Sequence, residues 1–152
     1  MPKQFDKITL KVHPAGTLNL PWTDLDRAII LINNRDILDI VREEEHKLYL
    51  QGKMNKDTVG RYHHIYIPEL YDLLTESEKS QGKEEASVLC CVCDCTGCDG
   101  IDVNVIRTKD FVLWKDIRNR ARNSFHLTFT FTLKDYENFM EALHKHSLKY
   151  NK

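Results

Sequence analysis

The stretch Phe125-His126-Leu127-Thr128-Phe129-Thr130-Phe131-Thr132-Leu133 constrains the fold more than any other part of the chain. Aromatic and aliphatic residues alternate there with polar and β-branched ones, which is the period of a strand with one face in a core. Such a strand needs partners, because an isolated strand or hairpin is barely stable in water. Its apolar face, Phe125, Leu127, Phe129, Phe131 and Leu133, is expected to be the heart of the core. Thr132-Leu133-Lys134-Asp135 then resembles a capping box, and Tyr136, Phe139, Met140 and Leu143 recur at helical spacing to about His146.

The rest of the chain supplies the partners. Lys7 to His13 alternates, with Ile8, Leu10 and Val12 on one face, and Pro14-Ala15-Gly16 ends it. Ala28 to Ile32 is a short apolar run closed by Asn33-Asn34, which reads as an inner strand and a turn. Ile37, Leu38, Ile40 and Val41 fall on a helical stripe behind a capping Asp36, so a helix is predicted from Asp36 to roughly Leu48. Its Glu43-Glu44-Glu45 run reads as a face turned to water. A polar loop from Gly52 to Arg61 leads into a strand over Tyr62-His63-His64-Ile65-Tyr66-Ile67-Pro68, and Glu69 to Leu74 forms a turn of helix. Residues 75–87 have the composition of a mobile internal loop. Ile101, Val103 and Val105 alternate, Arg107-Thr108-Lys109-Asp110 turns the chain, and Phe111-Val112-Leu113-Trp114 returns as a hairpin partner.

The sum is a single α+β domain over residues 1–152, a mostly antiparallel sheet with two or three helices packed on it. A net charge of -1 provides no global field to attract nucleic acid or an anionic membrane, so a partner must be recognised locally, which leaves room for a protein partner. Arg118-Asn119-Arg120-Ala121-Arg122 is a local basic run, read as a solvated connection between strands. The first residues lack a signal-peptide core, and no run reaches the roughly 18 apolar residues of a membrane-spanning helix, which predicts a cytoplasmic protein with reduced thiols.

All five cysteines lie within Cys90-Cys91-Val92-Cys93-Asp94-Cys95-Thr96-Gly97-Cys98. Three chemistries fit that density. Cys91, Cys93, Cys95 and Cys98 are a candidate zinc set, for Zn²⁺ takes four tetrahedral sulfur or nitrogen ligands. An extended strand spaces alternate residues about 6.8 Å apart, too far for thiolates on one ion, so the backbone must curl, which Gly97 and Gly100 permit. His63 and His64 are the nearest imidazole candidates. Cys95-Thr96-Gly97-Cys98 is also a C-x-x-C, a candidate dithiol redox pair, although the following Ile101-Asp102-Val103 leads into a strand where redox motifs open a helix. Thirdly, Val88 to Cys93 reads as a buried strand in which cysteine serves as a small hydrophobe before a glycine turn. No nucleophile with its base, paired carboxylates or glycine-rich phosphate loop stands at a recognised spacing. The sequence therefore predicts a non-catalytic binding or interaction protein with a structural cysteine-rich turn, with zinc binding and redox chemistry as alternatives.

Cys91, Cys93, Gly97 and Cys98, followed by a hairpin whose second strand carries Trp114, resemble an uncharacterised family of small bacterial proteins with a C-x-C-G-x-x-G-C-W-P-like motif. A looser likeness runs from Ile29–Val41 through Tyr66-Ile67-Pro68 to the closing strand and helix. Asp94 stands where that family has glycine, Cys95 is additional, and Asp99-Gly100 replaces Trp-Pro. The resemblance implies a shared fold and carries no activity with it.

Overall fold

The computed structural model describes residues 4–14, 26–91, 100–119 and 125–148. Its strands are β1 (Ile8–His13), β2 (Arg27–Ile32), β3 (Arg35–Asp36), β4 (Tyr62–Tyr66), β5 (Ala86–Cys91), β6 (Ile101–Arg107), β7 (Phe111–Asn119) and β8 (Phe129–Thr132). The helices are α1 (Ile37–Leu50), α2 (Ile67–Lys79) and α3 (Leu133–Ser147). They form one α+β domain around an eight-stranded sheet of order β1-β2-β4-β5-β6-β7-β8, with β3 beside β2. Every strand pairing is antiparallel. No helix is long and apolar enough to cross a membrane among the described residues.

Local chemistry sets the element ends. Asn33 and Asn34 turn β2 into β3 with φ of 52° and 67°, a left-handed pair that asparagine tolerates in hairpins. The Leu38 N–H donates to Asp36 Oδ1 at 2.9 Å and the Asp135 N–H to Thr132 Oγ1 at 3.1 Å, so both expected caps form. Pro68 sits in the first turn of α2, where its missing N–H costs nothing, and the helix starts before the expected Glu69.

Other boundaries also differ from expectation. The predicted loop at 75–87 is mostly regular structure: α2 continues to Lys79 and β5 begins at Ala86. The reason is the edge of β6. Its pairing with β5 ends at Ala86↔Val103, while β6 runs on to Arg107. Side chains from 77–81 cover the exposed rungs. The Val105 N–H donates to the buried Ser77 Oγ at 2.9 Å, and Gln81 exchanges hydrogen bonds with the Arg107 backbone through its Oε1 and Nε2. The second difference is β8, which holds only Phe129–Thr132, because His126 adopts φ of 56° and breaks the extended run. Phe125 still reaches the core, its N–H bonded to the Ile117 carbonyl at 3.1 Å.

Trp114 lies fully buried at the centre, edge-on to Phe131, Tyr136 and Phe139 with ring centroids 5.4, 6.2 and 6.4 Å away. Its Nε1–H donates to the Tyr136 hydroxyl at 3.3 Å. Burial pushes the Tyr136 phenol well above its ordinary value, so it stays a neutral hydrogen-bonding group. The two ends of the strand order also meet. The Asp6 N–H donates to the Thr130 carbonyl at 2.8 Å, and the Thr130 N–H donates to Asp6 Oδ2 at 3.0 Å.

Candidate functional site

The cysteine segment is the connection between β5 and β6, two central neighbours of the sheet. Val88, Leu89 and Cys90 are consecutive and all buried, so both faces of β5 are covered. Cys90 is 3% exposed, and its thiol donates to the His63 carbonyl at 3.5 Å. It is the small buried hydrophobe expected of one reading. The chain returns at Gly100, where a Cβ would lie 2.5 Å from the Leu89 carbonyl oxygen; only glycine lets the two backbones approach this closely. Leu89 pairs with Ile101 immediately beyond.

Of the candidate ligands, Cys91 closes β5 opposite Tyr62, and Cys93, Cys95 and Cys98 lie outside the described residues. The C-x-x-C and its glycine lie outside them as well. Among the described residues no group of three or more His, Cys, Asp or Glu side chains could hold a metal ion. His63 and His64, the nearest imidazole candidates, do not face one site. They are successive residues of β4, and strand alternation sends their imidazoles to opposite faces. The His64 Nε2 instead lies 2.9 Å from Asp36 Oδ2 and 3.1 Å from Oδ1.

That contact belongs to a clasp between β2 and β4, which share only the pairs Arg27↔Tyr66 and Ala28↔Ile65. Side chains reinforce the thin seam. Arg27 donates to the His64 carbonyl at 2.6 Å and to the Tyr66 hydroxyl at 3.1 Å, and its guanidinium lies over the Tyr66 ring, 4.4 Å from the centroid. Burial raises the Asp36 pKa. The hydrogen bonds from His64 and the Leu38 N–H, with the charges of His64 and Arg42, outweigh that and hold the carboxyl below its ordinary value.

A second polar cluster braces the end of the sheet from which the cysteine segment departs. Glu45 of α1, expected to face water, is fully buried. Its Oε1 accepts the Gly60 N–H at 2.8 Å; its Oε2 accepts the Tyr62 hydroxyl at 2.5 Å and the Asn119 amide at 2.9 Å. Gly60 has φ of 68°, and a Cβ there would run 2.3 Å from Arg42 Cγ, so this turn also requires glycine. The signal for Glu45 was its spacing: Ile37, Val41 and Glu45 follow one another at four-residue intervals on the inward stripe. Nothing in the local sequence marks Asn119 as its partner. On the basic run, Arg118 pairs with Glu85 and Asn119 is buried as the last residue of β7, while residues 120–124 lie outside the described ones.

Comparison with protein-family models, curated proteins and solved structures found no match. Of the motif residues that suggested a bacterial C-x-C family, Cys91 and Trp114 fall among the described residues, and Cys93, Gly97 and Cys98 lie outside them.

Proposed function

We propose that the protein is a non-catalytic binding or interaction protein whose cysteine-rich turn is a structural element at one end of the sheet. Cys90 carries this reading: it is packed in the core with its thiol committed to a backbone carbonyl, the role of a small hydrophobe. The buried or half-buried polar groups nearby give the same direction. Glu45, Asp36 and His64 each join separate elements, so their chemistry is spent on holding the fold together.

The test is elemental analysis of reduced protein purified without a metal-affinity tag, combined with a count of thiols titratable before and after denaturation. A structural turn gives metal-free protein whose thiols are hidden until it unfolds. About one zinc per chain, with thiols released by a chelator, would replace this reading with a zinc site at Cys91, Cys93, Cys95 and Cys98. Metal-free protein in which Cys95 and Cys98 cycle reversibly between dithiol and disulfide would replace it with redox chemistry.

A further inference from the structure

We propose that the C-terminal end of α1 and the loop after it, residues 49–61, form a docking surface for an acidic segment of a partner protein, with Leu50 as its apolar anchor. The inference deepens the interaction-protein reading and rests on it. Leu50 is 70% exposed, against 51% for Leu148 and 39% for Phe5, the other exposed large hydrophobic side chains among the described residues. A lone exposed leucine is ordinary on a protein surface, but this one has a particular setting. Tyr49 beside it is half-buried, its ring against the His46 imidazole with centroids 5.9 Å apart. Lys53, Lys56 and Arg61 are exposed and make no ion pair among the described residues. Asp57 is the only acid between His46 and Arg61, in a chain whose net charge is -1.

The loop is ordered without a core of its own. Residues 51–59 include no buried side chain, so apolar burial does not hold them. Hydrogen bonds do. Gly52, at φ of 75°, ends α1 in a left-handed turn; its N–H donates to the Tyr49 carbonyl at 3.0 Å, and the Lys53 N–H donates to the Leu48 carbonyl at 2.8 Å. Lys56–Thr58 is a single 3-10 turn in which the Thr58 N–H and hydroxyl both donate to the Asn55 carbonyl, at 3.1 and 2.8 Å. Gly60 then ties the loop to buried Glu45. The shape is fixed before a partner arrives, which removes the ordering cost from binding. Its unpaired cations match carboxylates, and Leu50 matches an apolar side chain set among them. A phosphate backbone would meet the cations and leave Leu50 in water. A bilayer surface takes a broad apolar face, where this tip exposes a single leucine.

The experiment is an amide chemical-shift titration of the full, reduced, isotope-labelled chain with a synthetic peptide of Leu-Glu-Glu repeats. Saturable shifts are expected at residues 49–61, with a control peptide of Ser-Glu-Glu repeats binding about tenfold more weakly. Leu50→Ala should weaken binding of the leucine peptide by about tenfold, and Lys53→Glu combined with Lys56→Glu should abolish it. These substitutions change exposed side chains, and an unmoved Trp114 indole N–H signal verifies that the core is intact. Absence of saturable binding would overturn the proposal, as would shifts centred outside residues 49–61 or equal affinity for the two peptides. So would tighter engagement of the same amides by single-stranded oligothymidylate or by phosphatidylserine–phosphatidylcholine vesicles, which would give the tip to nucleic acid or to a membrane surface. Metal content decides how the cysteine turn is read, whereas the footprint of the peptide decides the docking surface, so either can fail alone.

Discussion

Asp36 shows how much one side chain can be asked to do. It caps α1 through the Leu38 N–H and holds His64 across the seam between β2 and β4. Its lowered pKa makes the seam sensitive to acid. The folded protein binds the Asp36 proton less readily than the unfolded chain, so this contribution is complete above the ordinary carboxylate range and is lost as pH falls through the folded value. Asn at this position would keep the cap and weaken the bond to His64. Asp36→Asn should therefore cost about 1 kcal/mol near neutral pH, with the difference from the parent shrinking below about pH 4. Urea melts at a series of pH values check both parts. A constant difference across that range would show that the His64 contact does not depend on the charge.

At the scale of the element, α2 and the turn after it explain why a polar stretch is ordered structure. Thr75 to Glu85 reads as linker because its residues are hydrophilic, yet Ser77 and Gln81 serve as surrogate strand partners for β6. Arg107 at the end of β6 binds Glu78 of α2 and Glu137 of α3 at 2.6 and 3.2 Å. Burial works against its charge, but Glu78 and then Glu137 more than offset that and hold the guanidinium above its ordinary value. Ser77→Ala would leave the buried Val105 N–H without an acceptor and should cost about 1–3 kcal/mol, with faster hydrogen exchange at Val105. Unchanged exchange there would mean that the ladder does not depend on Ser77. Period and capping made β1, β2, α1, the β6–β7 hairpin and α3 legible, since each carries its signal within a few residues. The α2 extension was hidden because its cause lies across the sheet. Glu45 was half legible, with its stripe readable from spacing and its partners Tyr62 and Asn119 set only by tertiary packing.

Across the whole molecule, among the described residues, β1–β2–β3 meets the other strands at the β2–β4 seam, at the Asp36–His64 contact beside it and where Asp6 meets Thr130. Asp6 also accepts the Asn33 amide at 2.9 Å, so it links the turn after β2 to the far end of the strand order. Asp6→Ala should strand the Thr130 N–H, lower stability by about 1–3 kcal/mol, and raise hydrogen exchange at Thr130 more than at Trp114. Matching increases at both sites would instead indicate a uniformly weaker fold.

The Asp6–Thr130 contact also dictates a timetable. Its partners are 124 positions apart, so a chain growing from its amino end cannot make this contact until Thr130 has been synthesised. Until then the residues leading into β1 lack their Thr130 partner, and the early β1–β2 hairpin stands with its edges open, a state prone to pairing with a neighbouring nascent chain.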